Sequence, residues 1–71
     1  MYAISVSFYE RGYWSRSYTY LWHEPVNPGS VALVPKDAFY SVAKVIGCTD
    51  RFTKDPKINY KKLSAVVENL L

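Results

Sequence analysis

Hydrophobic and polar positions alternate from the start of the chain. Tyr2, Ile4, Val6 and Phe8 fall on one side, and Ala3, Ser5, Ser7 and Tyr9 on the other. That period of two predicts a strand with one buried face over residues 2–9. Glu10-Arg11-Gly12 interrupts it, and Gly12 suits a turn because glycine takes positive φ at no steric cost. Alternation resumes over residues 15–22, with Ser17, Thr19 and Leu21 facing one way and Tyr18, Tyr20 and Trp22 the other. The aromatic side is expected to pack inward or along a rim. Pro25 and Pro28 each remove a backbone donor, which predicts a loop over residues 23–28, and Pro28-Gly29 fits the middle of a type II turn.

Residues 31–34 read as a short strand ended by Pro35, and Lys36-Asp37-Ala38 as a tight connection. Residues 39–48 form the next strand, with Val42, Lys44 and Ile46 opposite Ala43 and Val45, and Gly47 either a bulge or its end. These runs lie too close together for parallel crossovers, which need about a dozen connecting residues, so they are expected to pair as antiparallel neighbours. Residues 50–59 are polar and contain Pro56, which predicts a loop. In the tail, Leu63, Val66, Val67 and Leu70 fit a helix, whereas Leu63, Ala65 and Val67 fit a strand. Periodicity leaves both open. The expected architecture is one all-β domain over residues 1–71, a small five-stranded SH3-like or OB-like barrel whose C-terminal element is a fifth strand or a short helix.

A chain of 71 residues supports one core, and its seven Tyr, three Phe and two Trp supply large apolar area per side chain ordered. Self-association is the other source of burial open to it, so a homo-oligomer is one expectation. Cys48 is the single cysteine, which excludes an intrachain disulfide and a zinc-binding thiolate cluster. No apolar run approaches the roughly 18 residues of a membrane helix, and nothing resembles a secretion signal. A cytoplasmic location without membrane contact is expected. His23 beside Glu24 is no metal site on its own, and Glu10, Glu24, Asp37, Asp50, Asp55 and Glu68 are scattered. No glycine-rich phosphate cradle is present either. The chain is expected to be no enzyme and to use no cofactor or metal.

Charge placement says more than the net +3. In residues 1–35, Arg11 and Arg16 balance Glu10 and Glu24; in residues 51–62, Arg51, Lys54, Lys57, Lys61 and Lys62 oppose Asp55 alone. Two candidate surfaces follow. The first is the aromatic group Tyr13, Trp14, Tyr18, Tyr20 and Trp22 interleaved with Arg11 and Arg16. Rings there would stack bases while arginines meet phosphates, or would simply fill the core, or, for an exposed Tyr13-Trp14 pair, would anchor a protein partner. The second is the basic segment Arg51, Lys54, Lys57, Lys61 and Lys62, either a phosphate-tracking surface or a solvated loop. The candidate binding residues are Arg11, Tyr13, Trp14, Arg16, Lys54, Lys57, Lys61 and Lys62. The candidate partners these surfaces suggest are single-stranded nucleic acid or another protein.

Tyr18-Thr19-Tyr20, Pro28-Gly29, the strand ending at Pro35, residues 40–46 and Lys62-Leu63-Ser64-Ala65-Val66-Val67-Glu68 follow one another in an order that resembles the N-terminal DNA-binding barrel of the primosomal replication helicase PriA. The chain is also similar to small phage-encoded proteins of this pattern. The resemblance implies a fifth strand in the tail, a free-standing barrel without helicase domains, and a DNA ligand or, for a phage protein in the host cytoplasm, a host replication or defence factor. In that family an aromatic-Asp-Tyr motif and a glycine after the proline shape a pocket for a DNA 3′ end. Here Thr19 supplies no carboxylate and Lys36 follows Pro35, so the resemblance extends to the barrel and not to that pocket.

Overall fold

The computed structural model describes residues 1–67, with the backbone alone at Lys36. The alternating segments become β1 (Tyr2–Ser7), β2 (Tyr9–Glu10), β3 (Tyr13–Trp14), β4 (Tyr18–Trp22), β5 (Val31–Lys36), β6 (Phe39–Thr49) and β7 (Ala65–Val67). Five of them form one antiparallel sheet in the order β4-β1-β6-β5-β7, and β2 pairs with β3 as a separate hairpin. The described residues contain no helix, and in the tail Ala65–Val67 are strand. Leu70, whose spacing suggested a helix, lies outside the described residues.

One expected pairing is corrected. β4 and β5 follow each other in sequence but are separated in the sheet by β1 and β6. β1 takes β4 as its partner, from Tyr2 opposite Trp22 to Val6 opposite Tyr18. The 11-residue β6 is long enough to pair with β1 at one end and β5 at the other. The loop after β4 carries the chain across, with Val26 buried in the core. Its Pro28-Gly29 turn is as expected: Gly29 has φ 94°, and the Ser30 N–H donates to the Asn27 carbonyl at 3.1 Å. The turn is tied to β6, since Gly29 N–H donates to the Val45 carbonyl and Val45 N–H to the Ser30 carbonyl, both at 2.8 Å.

The core is Ile4, Val6, Phe8, Val26, Ala32, Val34, Ala43, Val45 and Leu63, with Tyr2, Tyr20, Trp22, Cys48 and Val66 packed against it. Burial of each larger aliphatic or aromatic member contributes about 1.5–3 kcal/mol. The alternation of β6 changes phase at a bulge. Ser5 faces Gly47 and Val6 faces Val45, which leaves Ile46 as the extra residue and lets both Val45 and Cys48 turn inward. Pro35 does not end β5, which continues to Lys36. Leu33 directs its carbonyl toward Ser64, on the β7 side (2.8 Å). By the two-residue period the Pro35 nitrogen points the same way, beyond the end of β7, where no donor is needed.

The segment before β7 reaches the opposite edge. Leu21 N–H donates to the Lys61 carbonyl at 2.9 Å, and Leu63 N–H to the Leu21 carbonyl at 3.0 Å, a parallel bridge onto β4. Residues 61–67 thus bond to β4 and then to β5, and one stretch of chain links both sides of the sheet.

Candidate nucleic-acid groove

Leu21 uses its outward N–H and carbonyl on residues 61 and 63, so the same edge of β4 presents the Thr19 backbone two residues earlier. Residues 58–60 diverge from that edge, and a groove of about 390 Å³ opens between them. Arg16, Tyr18, Tyr20, Tyr60 and Lys61 line it, with Thr19 between the two β4 tyrosines. This is within the roughly 300–1,000 Å³ of small-ligand sites.

The wall opposite β4 is held by local hydrogen bonds, although its sequence predicts only a loop. Asp55-Pro56-Lys57-Ile58 is a turn in which Ile58 N–H donates to the Asp55 carbonyl at 3.0 Å and Lys57 N–H to Asp55 Oδ1 at 2.9 Å. Proline in second position presets the turn, and the aspartate caps it. The Asp55 N–H donates to the Tyr60 hydroxyl at 3.2 Å, and the Tyr60 ring meets Phe52 edge-on with centroids 5.0 Å apart. Tyr60 is therefore positioned by two independent contacts.

On β4, Tyr18 is 40 % exposed and leans edge-on against Phe8 at 5.7 Å. The Arg16 guanidinium lies 5.1 Å from the Tyr18 ring centroid. A side-chain hydrogen bond to Tyr18 and the charge interaction with it hold Arg16 above the ordinary arginine range, so it stays a cation at any working pH. Tyr20 is half-buried against the core, and Trp22 likewise, stacked at a tilt on His23. The expected inward packing holds for Tyr20 and Trp22, whereas Tyr18 divides its faces between Phe8 and solvent. A smaller cavity of about 200 Å³, which includes Phe8 and Glu10, shares Tyr18 and Tyr20 with the groove.

The structure brings Arg16 and Lys61 together and leaves the other candidates elsewhere. Arg11, Tyr13 and Trp14 belong to the β2–β3 hairpin, all exposed. Trp14 packs edge-on against Tyr9 at 5.2 Å, and Lys44 Nζ sits 5.6 Å from its ring. A second, mostly apolar cleft of about 360 Å³ lies there between Tyr9, Trp14, Val31, Val42 and Lys44. Lys54, Lys57 and Lys62 are exposed and line neither cleft. His23 Nε2 lies 3.6 Å from Glu24 Oε1 with both side chains in solvent, and no group of potential metal ligands exists among the described residues. Cys48 is half-buried against the core. Ile58, Asn59 and Tyr60 are groove-lining residues that sequence reasoning missed, and of these Tyr60 carries the ring. Its signal was the Asp55-Pro56 turn, which returns the chain to Phe52 and so fixes the ring.

No protein-family model, curated protein or solved structure matches the chain.

Proposed function

We propose that the protein is a non-enzymatic nucleic-acid-binding module, preferring single-stranded or fork-like DNA, and that the groove between β4 and residues 58–61 is its site. The observation that carries this reading is the convergence of Arg16 and Lys61 on a groove walled by Tyr18, Tyr20 and Tyr60. Base stacking on such rings contributes about 1–3 kcal/mol per base and tolerates any sequence. Cations at the two sides meet phosphates. The open edge of β4 at Thr19 adds backbone groups able to hydrogen-bond a sugar or base.

The resemblance to the helicase barrel supports the fold alone, because Thr19 stands where the family's aromatic motif has its aspartate. A small SH3-like or OB-like barrel is the finer fold description we favour, supported by the bonds of residues 61–67 to both β4 and β5. Capture of a host protein through Tyr13, Trp14 and Arg16 has less geometric support, since Trp14 and Arg16 line different clefts.

The test is a fluorescence titration with a labelled single-stranded oligonucleotide at low and physiological salt. Micromolar or tighter binding that weakens steeply with salt is expected, and the double variant Arg16→Ala/Lys61→Ala should lower both the affinity and the salt slope. Absence of binding even at low salt would overturn the reading.

A further inference from the structure

The outward side of the β6-β5-β7 sheet is almost wholly apolar. Its cross-strand rows are Lys44, Val31 and Val67; then Val42, Leu33 and Ala65; then Tyr40 and Pro35. The inward side of the same strands is the core, through Ala32, Val34, Ala43, Val45 and Val66. Strands apolar on both faces belong to sheets that are covered on both faces. Here the inward face is covered and the outward one is open: Tyr40 is 64 %, Val42 65 % and Val67 71 % exposed.

We infer that this face is covered by a second copy of the chain, giving a two-fold dimer in which two β6-β5-β7 sheets pack face to face. Three observations select that occupant. First, among the described residues the face carries a single charge, and that charge is already accommodated: the Lys44 ammonium lies over the chain's own Trp14 ring at the border of the patch. A foreign partner would find no charge pattern to recognise, whereas uniform aliphatic rows are complementary to themselves, as an isologous contact requires.

Second, the area is sufficient. Tyr40, Val42, Ile46, Val31 and Val67, bordered by Tyr9 and Trp14, are all exposed. Together they offer on the order of 700 Å² on the usual areas of aromatic and aliphatic side chains. A standard interface uses roughly 800 Å² per partner, and a monomer seldom leaves open a patch larger than about 300–600 Å². Third, the fold lacks other reinforcement. Its core is built largely of valine and alanine, its single cysteine is unbridged, and no potential metal cluster occurs among the described residues. Domains of this size commonly draw the missing burial from association. The dimer shares no residue with the groove, so its test stands apart from that of DNA binding.

Sedimentation equilibrium without nucleic acid, from low micromolar to near millimolar protein in 0.5 M salt, reads this directly. The native chain should move from monomer to twice the monomer mass. Val42→Glu should stay monomeric across the range. Val42 points into solvent, so the variant should keep a native circular dichroism spectrum and cooperative melting. Tyr40→Lys is the second variant and should weaken association at least tenfold. A native chain that remains monomeric at the highest concentration overturns the proposal and leaves the face to another occupant. Dimerisation unchanged in both folded variants overturns it as well, by placing the contact elsewhere.

Discussion

Leu63 donates its N–H to the carbonyl of Leu21 at 3.0 Å and buries its side chain in the core cluster that also holds Ile4, Val6 and Val34. One residue thus carries both the backbone link from the tail to β4 and the packing that holds it. The Lys61 carbonyl accepts from Leu21 two residues earlier, so the groove wall bearing Tyr60 and Lys61 depends on the same anchor.

Leu63→Ala should therefore be among the most damaging single changes. Truncation of a buried leucine costs about 2–5 kcal/mol. That is comparable with the whole stability of a small domain, about 5 kcal/mol at the lower end. Urea unfolding monitored by tryptophan fluorescence should give a much lower midpoint or no folded baseline. Leu63→Met, which keeps the volume, should cost less than about 1.5 kcal/mol. Equal midpoints for native protein and Leu63→Ala would show that the tail is not part of the cooperative unit.

Ser7 tests the attachment of the hairpin. It is 4 % exposed, and its hydroxyl donates to the Ser15 carbonyl at 2.7 Å. Ser15 returns the contact to the neighbouring residue, accepting from Phe8 N–H on its Oγ at 2.9 Å and donating its own N–H to the Phe8 carbonyl at 2.7 Å. Ser7→Ala removes one such bond and should cost about 1 kcal/mol. Ser15→Ala removes an acceptor of Phe8 and the donor to the Arg16 carbonyl, and should cost more. Chemical denaturation of the two variants orders them, and amide exchange at Tyr13 and at residue 15, the N–H groups that face across the hairpin, should quicken in both.

The turn at the end of that hairpin stores removable strain. Arg11 has φ 50° and Gly12 φ 85°, the pair of positive angles that a two-residue type I′ connection demands. Glycine takes this freely, while an ordinary side chain in the left-handed region costs about 1–2 kcal/mol. Asparagine tolerates it better, so Arg11→Asn should stabilise the fold by about 0.5–1 kcal/mol. For a domain of this size that is a rise of roughly 2–8 °C in Tm. Gly12→Ala should destabilise; no atom lies within 4 Å of the added methyl, so its cost is conformational alone. A thermal melt in which Arg11→Asn lowers Tm would contradict the strain assignment.

The features legible in the sequence are the local ones. Ile4, Val6 and Phe8 face inward, Ala43 and Val45 oppose Val42 and Lys44, and Pro28-Gly29 turns, each because a two-residue period or a fixed φ is written in adjacent positions. Strand order was not legible. β4 lies beside β1 rather than β5 because long-range closure of the sheet decides it, and neither alternation nor turn chemistry specifies a partner. The candidate site divides along the same line. Arg16 and Lys61 could each be named for their charge, but their meeting depends on the Leu21 bridge. Trp14 and Arg16 are close in sequence, yet the chain between β3 and β4 sends them to different clefts.

Tyr60 separates ring from hydroxyl and so tests what the groove uses. The hydroxyl accepts the Asp55 N–H at 3.2 Å in an exposed loop, while the ring lies against Phe52 and lines the groove. Tyr60→Phe loses only the acceptor. Asp55 N–H can turn to water, so stability should fall by about 0.5 kcal/mol or less, the low end for a hydrogen bond. Binding of a single-stranded oligonucleotide should weaken no more than twofold to threefold. Tyr60→Ala also removes the stacking face, worth about 1–3 kcal/mol per base, and affinity should drop tenfold or more at unchanged salt slope. That last condition distinguishes stacking from charge, because Arg16→Ala and Lys61→Ala should reduce the slope while Tyr60→Ala leaves it intact. If Tyr60→Phe lost as much affinity as Tyr60→Ala, the hydroxyl and the loop it fixes would be the binding determinant, and the stacking role of the ring would fall.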